Sequence, residues 1–324
     1  MVESISKTPV TAEQAAAVVE RAFGPDAALA SFTECTEGWF NAVHRLALAD
    51  GTSCILKVAP PPDVRVLRYE HDLLTTEVEA LRLVRERTDV PVPEVLAWDE
   101  ACDLLPTPYF LMTACPGRLL SEVRGELTAE GSTAVDAELC RLVAQVNAVT
   151  AESFGRPDRA APHDPTWRAA FGRLVDDLLA DGADAGVELP VPYEEVAAHV
   201  ARHGDALDEV AVPRLVHWDL WDPNVFVDPA TGAVVGVIDF ERVLWADPLM
   251  EAQFTARRAD DERTEAYGRA LFAEPGAVAR RRLYDLYLSL VMTIESAYRN
   301  YPTSDIEDLA RSMLAGVLDE LART

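Results

Sequence analysis

The stretch that decides the fold reads His217-Trp218-Asp219-Leu220-Trp221-Asp222-Pro223-Asn224 and is followed further on by Val237-Ile238-Asp239-Phe240. Between the two runs lie an apolar segment, Val225 to Val227, and the turn residues Asp228 to Gly232. Asp, Pro and Gly favour turns, so the pattern predicts two short strands joined by a hairpin. Such a hairpin would bring Asn224 and Asp239 to the same site.

The residue types in this motif match the demands of phosphoryl transfer. A carboxylate must orient the attacking hydroxyl and accept its proton, and oxygen ligands must hold Mg2+ on the phosphates. We predict that Asp219 is the catalytic base, that Asn224 and Asp239 bind Mg2+, and that His217 organises the loop through hydrogen bonds. Asp and Asn are also common at turns without any chemical role. Here, however, the four residues fall at fixed offsets beside apolar strands.

The use of lysine gives a second, independent indication. The chain has 29 Lys plus Arg, but only Lys7 and Lys57 are lysines, and Lys57 lies in the apolar strand Cys54 to Ala59. A compact ammonium retained in such a strand indicates that a point charge is needed there. The alternative is a lysine that faces solvent, because successive side chains of a strand point to opposite faces.

The helix that follows supplies a partner for this lysine. Helical spacing from about Tyr69 to Arg87 is carried by the apolar residues Leu73, Leu74, Val78, Leu81 and Val84. Kinases hold a strand lysine with a helix glutamate and so aim it at the phosphates. Glu77 is the preferred partner because it leaves Leu81 and Val84 to pack on the sheet, and Glu79 is the alternative.

With these features, the chain resembles the aminoglycoside phosphotransferase/choline kinase family, the small-molecule branch of the protein-kinase-like fold. The resemblance covers most of the chain, through Glu37-Gly38-Trp39-Phe40-Asn41, Leu56-Lys57-Val58, Val90 to Leu96, Tyr109 to Met112, Pro116-Gly117, the catalytic loop, Ile238-Asp239-Phe240-Glu241 and Asp247-Pro248. It implies an α+β bilobal fold, with a small β-rich N-lobe that contains one key helix and a larger helical C-lobe. The nucleotide-binding lobe is expected at 1–114, and the helical lobe with the catalytic loop and acceptor site at 115–324.

Carried over to this sequence, the resemblance assigns Lys57 to the α- and β-phosphates and Glu77 to its support. The adenine-binding hinge would be the segment from Met112 through Thr113 to Cys115. The nucleotide loop has one glycine, Gly38, where protein kinases have three, and the side chain of Asn41 is expected to add a contact. An ordinary hairpin glycine is the alternative for Gly38.

Three departures from protein kinases favour a small-molecule kinase. Trp218 replaces the Arg of the H-R-D signature, Glu241 replaces the Gly of D-F-G, and no A-P-E-like segment follows. Helices are expected in the C-lobe at about 128–151, 166–181, 193–208, 248–258, 261–272, 277–299 and 304–323, and in the N-lobe at 11–23, where Thr11 is the cap.

Composition bounds the class of protein. A chain of 324 residues, 49% hydrophobic, can bury two cores. Apolar runs stay well short of the roughly 18 residues of a membrane helix, and the first nine residues lack a signal-peptide pattern. The five cysteines show no C-x-x-C pairing, which is typical of reduced cytoplasmic thiols. We expect a cytoplasmic monomer or homodimer without membrane contact.

The net charge of −26 bears on the ligands. Nucleic acid is a poor partner for an acidic chain, whereas cationic small molecules are favoured. Glu241 and Glu251 lie just beyond Asp239 and are candidate acceptor contacts. These features predict an ATP- or GTP-dependent, Mg2+-dependent kinase whose acceptor is an aminoglycoside or related antibiotic. The alternatives are a metabolic kinase acting on choline, an amino sugar, a fructosamine or homoserine, and a nucleotide-binding pseudokinase scaffold.

Overall fold

The computed structural model describes residues 6–35, 38, 40–157, 163–251, 274–299 and 304–323. The expected α+β bilobal fold is confirmed: a lobe built on one antiparallel sheet is followed by a larger, mostly helical lobe. Within the described ranges, no helix combines the length and apolar character needed to cross a bilayer.

The N-lobe is a five-stranded antiparallel sheet in the order β1-β2-β3-β5-β4. Its strands are β1 (Leu29–Cys35), β2 (Ala42–Leu48), β3 (Ser53–Val58), β4 (Val95–Asp99) and β5 (Tyr109–Thr113). Helix α1 (Ala12–Phe23) packs on one face of the sheet. Thr11 caps α1 in a reciprocal pair with Gln14, as the sequence predicts.

Strand β3 is buried on both faces, and this determines where Lys57 points. Cys54, Leu56 and Val58 join the core beneath α1, whereas Ile55 joins a second core that extends into the C-lobe. Lys57 alternates with Leu56 and so shares the face of Ile55. Only 5% of Lys57 is exposed, so the alternative of a solvent-facing lysine is wrong.

Helix α2 (Leu73–Arg87) lies against that second face. It begins a turn later than the sequence pattern suggests, because Arg68–Glu70 form a 3-10 turn and Asp72 adopts a left-handed conformation with φ 61°. Val78 and Leu81 pack with Phe240, which follows Asp239. The helix that carries Glu77 is therefore fixed against the metal-binding motif.

The C-lobe contains helices of very different length and two small sheets. Its helices are α3 (Leu120–Val123), α4 (Ala129–Ala148), α5 (Trp167–Ala185), α6 (Tyr193–His203), α7 (Ala277–Glu295) and α8 (Asp305–Ala322). Its strands are β6 (Arg118–Leu119), β7 (Phe154–Gly155), β8 (His163–Asp164), β9 (Arg214–Val216), β10 (Val225–Val227), β11 (Val234–Val237) and β12 (Leu244–Ala246). They form the sheets β11-β10-β6 and β8-β7-β12-β9.

The helix predictions agree with the structure to within a few residues wherever it describes the chain. At 248–258 only the 3-10 turn Pro248–Met250 is described, and the predicted helix at 261–272 lies outside the described residues. The lobe boundary at residues 114 and 115 remains a prediction, placed just after the end of β5.

The connection between the lobes depends on Gly117. Its φ of 84° lies in the left-handed region, and a Cβ there would come within 2.3 Å of the carbonyl oxygen of Val227. Only glycine fits this position. The Pro116-Gly117 motif thus lets the chain leave the N-lobe sheet and approach strand β10 closely.

Candidate active site

The predicted hairpin forms and brings Asn224 and Asp239 together. Strands β10 and β11 are antiparallel, with Val225 opposite Val237. Beyond this pair, the Ile238 N–H donates to the Asn224 carbonyl over 3.0 Å. Asn224 and Asp239 therefore lie at the same end of the hairpin, next to the catalytic loop.

Asp219 is held by hydrogen bonds from both sides. Its own N–H donates to Nδ1 of His217 over 3.2 Å. The side-chain amide of Asn224 donates to the Asp219 carbonyl over 2.8 Å and to its carboxylate over 3.3 Å. Burial raises the pKa of Asp219 to about 7, and the nearby Arg242 guanidinium opposes that shift.

The partners of His217 fix its tautomer. Nε2 lies 3.0 Å from the Ile238 carbonyl oxygen, which can only accept, so Nε2 carries the proton. Nδ1 is then the acceptor for the Asp219 N–H. Burial lowers the pKa of His217 to about 4, so the ring is neutral near pH 7. His217 thus holds the loop, and Asp219 remains the better candidate for the base.

Two residues of the site have left-handed backbones although neither is glycine: Trp218 at φ 65° and Asp239 at φ 68°. Such conformations are costly and persist where surrounding contacts enforce them. Trp218 is packed between Tyr287 and Tyr69, with ring centroids 5.3 and 6.3 Å away. The three tryptophans near the catalytic loop differ in exposure: Trp218 and Trp245 are buried, whereas 54% of Trp221 is exposed.

Lys57 lies at the centre of three carboxylates. Its Nζ is 2.6 Å from Glu77, 2.6 Å from Asp239 and 2.9 Å from Glu241. The alternative partner, Glu79, is exposed on the far side of α2. The strand, the helix and the metal-binding motif therefore converge on a single ammonium.

The cluster is electrostatically unbalanced, with three carboxylates around one cation. Burial alone would lower the pKa of Lys57, but Asp239, Glu241 and Glu77 raise it well above its ordinary value. Burial also works against ionisation of Asp239, yet the Lys57 ammonium lowers the pKa of that carboxyl. Lys57 is thus charged, whereas burial and the neighbouring carboxylates raise the pKa of Glu77 to about 8 and also raise that of Glu241. A further cation nearby would favour the ionised forms of these acids.

Two sets of side chains are candidates to bind a metal ion. Oxygens of Glu77, Asp239 and Glu241 lie within 4.8 Å of one another, but the Lys57 ammonium already contacts all three. Asn224 directs its amide nitrogen to Asp219, which leaves its side-chain oxygen for another partner. Oxygen atoms of Asn224 and Asp239 suit a hard cation such as Mg2+. Asp239 belongs to both sets and binds Lys57 through Oδ1, so Oδ2 of Asp239 and Oδ1 of Asn224 are the oxygens that the predicted pair can offer. That this pair holds Mg2+ stays a prediction.

Glu241 and Asn41 are coupled in a way that the sequence did not indicate. The Asn41 amide donates to Glu241 over 2.6 Å, and Glu241 also binds Lys57. Both residues are buried, and Oδ1 of Asn41 has no hydrogen-bond partner among the residues that the structure describes. Because Oε2 of Glu241 is engaged by Lys57 and Asn41, the structure gives no support to the expected acceptor contact of Glu241, which stays a prediction. The expected nucleotide contact of Asn41 stays a prediction.

Glu251 also departs from the expectation of an acceptor contact. It is 3% exposed and lies behind the catalytic loop. Its carboxylate accepts the N–H groups of His217 and Trp218 and the side-chain amide of Asn147. A carboxylate used in this way cannot also reach a ligand on the open side of the loop.

The remaining predicted contacts occupy the N-lobe edge of the cleft. Met112 and Thr113 end β5, and Thr113 exchanges hydrogen bonds with Glu94. Cys115 is partly buried against β11, and burial raises the pKa of its thiol to about 11. Gly38 lies between β1 and β2, where a Cβ would meet only the Asn41 carbonyl oxygen, at 3.9 Å. Their nucleotide contacts stay predictions.

Arg242 is a site residue that the sequence analysis missed. It directly follows the Ile238-Asp239-Phe240-Glu241 motif, which was the available signal. Its guanidinium carbon lies 5.9 Å from the centre of the Trp218 ring and 5.6 Å from that of Tyr69. Glu295 of α7 pairs with it at 3.3 Å. Arg242 thus supplies a half-buried cation near Asp219, in a site whose H-R-D arginine is replaced by Trp218.

Comparison with known families agrees with this geometry. The family model described as "Phosphotransferase enzyme family" (APH) matches residues 31–286. The chain belongs to this family. The matched range contains Lys57, Glu77, Asp219, Asn224 and Asp239.

Solved structures of phosphotransferases share the fold at low sequence identity. A thermostable mutant of aminoglycoside phosphotransferase APH(4)-Ia, in a ternary complex with AMP-PNP and hygromycin B, is 21% identical with a TM-score of 0.66. The match covers 95% of this chain and 99% of that one. A Thermobifida fusca protein assigned as fructosamine-3-kinase is 22% identical, with a TM-score of 0.67 over 95% of this chain and 98% of that one.

A third solved structure and one curated protein extend the comparison. The streptomycin–ATP complex of APH(2")-IIa is 15% identical, with a TM-score of 0.59 over 98% of this chain and 97% of that one. The Arabidopsis thaliana protein IBR3, named as an acyl-CoA dehydrogenase, is 22% identical over 209 residues, which are 63% of this chain. The match spans 25% of the length of that relative.

Proposed function

We propose that this protein is a Mg2+-dependent small-molecule kinase that transfers the γ-phosphoryl group of ATP or GTP to a hydroxyl of its acceptor. One observation carries the proposal. The Lys57 ammonium is held by Glu77 and Asp239, and the hairpin places Asp239 beside Asn224 and Asp219. A phosphate-binding cation, a metal-binding pair and a carboxylate base are thereby within one site.

Each residue has its own role in an in-line transfer of the phosphoryl group. Lys57 neutralises phosphate oxygens, and Glu77 keeps its ammonium in place. Asn224 and Asp239 would hold Mg2+, which would neutralise charge on the phosphates. Asp219 orients the acceptor hydroxyl and accepts its proton. His217 fixes the conformation of the catalytic loop through its hydrogen bonds to Ile238 and Asp219. Positioning and charge stabilisation supply most of the rate enhancement in phosphoryl transfer, so a carboxylate suffices as base.

The nucleotide base is assigned to the hinge. Met112, Thr113 and Cys115 lie where the N-lobe sheet ends and the chain crosses to the C-lobe. A base inserted there would place its phosphates towards Lys57, which pairs with Phe110 in the neighbouring strand. Gly38 and Asn41 lie in the connection between β1 and β2 and would cover the phosphates.

The leading acceptor is an aminoglycoside or a related cationic antibiotic, which would give the protein a role in antibiotic resistance. The net charge of −26 favours a cationic ligand, and a neighbour of the same fold was solved with hygromycin B. A metabolic acceptor that carries a sugar and an amine is the second candidate, favoured by the Thermobifida fusca neighbour. A pseudokinase scaffold is disfavoured because Lys57, Asp219, Asn224 and Asp239 are all present.

An acceptor screen tests the proposal. ADP and GDP release would be measured with Mg2+ across aminoglycosides, choline, homoserine, amino sugars and fructosamines. We expect metal-dependent release that one acceptor class stimulates at least tenfold over the rate without acceptor. Tight nucleotide binding without stimulated release by any acceptor would instead favour the scaffold.

A further inference from the structure

We propose that Arg299 is a positioning residue that holds the nucleotide loop, the connection between β1 and β2, in place over the cleft. The inference rests on the proposed kinase function, in which Gly38 and Asn41 of this loop cover the phosphates. Arg299 follows the 3-10 turn Ser296–Tyr298 at the end of α7, in the C-lobe. Its contact with Phe40 of the loop therefore joins the two lobes on the nucleotide-binding side.

Arg299 is buried, and its guanidinium is shared between a ring and two carboxylates. The guanidinium carbon lies over the Phe40 ring, 4.9 Å from its centre. Nη2 donates to the Glu70 carboxylate, and Nε lies 3.6 Å from Glu295. A guanidinium can contact a ring with its face while the N–H groups at its edge bind carboxylates. This set of contacts suits arginine better than lysine.

The same end of the nucleotide loop is also held by the residues that surround Lys57. The Asn41 amide donates to Glu241 over 2.6 Å, and Glu241 accepts from Lys57 over 2.9 Å. Phe40 is only 9% exposed, although loops usually run over the surface. Contacts on two successive residues, Phe40 and Asn41, therefore fix the loop where it enters β2.

The two carboxylates that bind Arg299 belong to elements that build the site. Glu70 lies in the 3-10 turn before α2, the helix that carries Glu77. Glu295 ends α7 and also pairs with Arg242 at 3.3 Å. Arg299 thus lies where the nucleotide loop, the start of α2 and the end of α7 meet. A change of its side chain should reach the nucleotide through Phe40.

Arg280 offers a matched control on the same helix. It is also buried, and its guanidinium binds Asp247 and Glu209, each over 2.8 Å, and Glu274. These three partners lie in the C-lobe, away from the nucleotide loop in the chain. Arg280→Lys should therefore lower stability without altering nucleotide affinity per folded molecule.

The test measures the Kd of a nonhydrolysable Mg2+–ATP or Mg2+–GTP analogue by calorimetry for Arg299→Lys, Phe40→Leu and the double variant of the full chain. Lysine keeps a charge beside Glu70, whose carboxylate would otherwise be buried and unpaired, but it removes the guanidinium plane. Leucine keeps an apolar side chain but removes the ring. We expect each single variant to raise the Kd roughly 3- to 10-fold, the scale of one partly desolvated cation–π contact.

The double variant and the control decide whether this contact is the cause. The double variant should bind within about twofold of the weaker single variant, because both changes remove the same contact. Arg280→Lys and the acceptor KM of Arg299→Lys should each change less than about twofold. An unchanged Kd in both single variants would overturn the inference. Losses that multiply in the double variant, or an equal loss in Arg280→Lys, would overturn it as well.

Two further measurements cover a variant that fails to fold and a failure of the proposed function. If Arg299→Lys does not fold, Phe40→Leu is compared with Phe40→Tyr, which keeps a ring, and equal losses of affinity would contradict the contact. If the wild type binds neither nucleotide, the proposed function fails. The Phe40 and Asn41 amides, followed by NMR without ligand, should still exchange with solvent faster in Arg299→Lys. Unchanged exchange would contradict the hold of Arg299 on the loop.

Discussion

The Lys57 ammonium lies 2.6 Å from Oε2 of Glu77, so a strand and a helix of the N-lobe meet at one buried ion pair. Glu77 is 1% exposed, and within the described part of the chain its second oxygen, Oε1, has no hydrogen-bond partner. The pair fixes the cation that we assign to the nucleotide phosphates. Of the two acids on α2, Glu77 is thus the one that contacts Lys57, whereas Glu79 is exposed.

Glu77→Gln should weaken nucleotide binding while Glu79→Gln does not. Removing one carboxylate leaves Lys57 bound to Asp239 and Glu241, which would draw it towards the metal side of the cleft. We expect the nucleotide Kd to rise roughly 10-fold, the scale of one charge-assisted hydrogen bond. Glu79→Gln, the exposed control, should change it less than about twofold. Titration calorimetry would measure both, and equal effects would contradict the assignment.

Asp239→Ala should abolish the Mg2+-dependent part of nucleotide binding, because this carboxylate is the charged member of the proposed metal pair. Asp222→Ala is the matched control from the same motif. Asp222 pairs with Arg124, which also binds Asp136, so its loss should cost about 1–3 kcal/mol of stability and leave Mg2+–nucleotide affinity unchanged. Comparable losses of metal-dependent affinity in the two variants would refute the metal pair.

Glu241→Gln should alter nucleotide KM more than acceptor KM. Its carboxylate bridges Lys57 and Asn41, so the change reaches the phosphate side of the cleft. We expect a several-fold change in nucleotide KM and less than about twofold in acceptor KM. Steady-state kinetics with each substrate varied in turn would show this. A response confined to acceptor KM would restore the earlier interpretation of Glu241 as an acceptor contact.

His217 should remain neutral, with its proton on Nε2, throughout the working pH range. Burial disfavours the imidazolium, so the folded-state pKa of about 4 lies below the ordinary 6.5. The ring therefore takes up a proton only near pH 4, and its protonation contributes nothing to activity above about pH 5. Nitrogen-15 NMR of labelled protein would identify the tautomer. A His217 ring that titrates near pH 6.5 would be inconsistent with the buried hydrogen bonds.

Sequence was informative where function depends on residues close together in the chain. The loop and hairpin from His217 to Asp239 follow from turn chemistry and short apolar strands, and Glu77 follows from helical spacing. The contacts of Glu241 and Glu251 could not be predicted because their partners are remote: Asn41 lies 200 residues from Glu241, and His217 lies 34 residues from Glu251. No local pattern encodes such contacts, because they arise only when segments far apart in the chain pack together.

The helix boundaries illustrate the same limit. The apolar spacing predicted α2 from about Tyr69, but Glu70 is buried in an ion pair with Arg299, which lies 229 residues further along the chain. That contact and the left-handed Asp72 hold residues 68–70 in a separate turn. The place of Arg242 in the site could not be predicted for a related reason. Its neighbours Tyr69, Trp218 and Glu295 come from three other segments of the chain.

The most direct test of the account is phosphorus-31 NMR of wild type and Asp219→Asn with Mg2+–ATP and the acceptor found in the screen. For the wild type we expect a new phosphomonoester signal on the acceptor that grows as ADP forms. For Asp219→Asn we expect the same nucleotide Kd, with the phosphomonoester forming at least roughly 10²-fold more slowly, the usual scale for loss of a positioned base. Formation at a near-normal rate in Asp219→Asn would contradict the assignment of Asp219 as the base on which the mechanism depends.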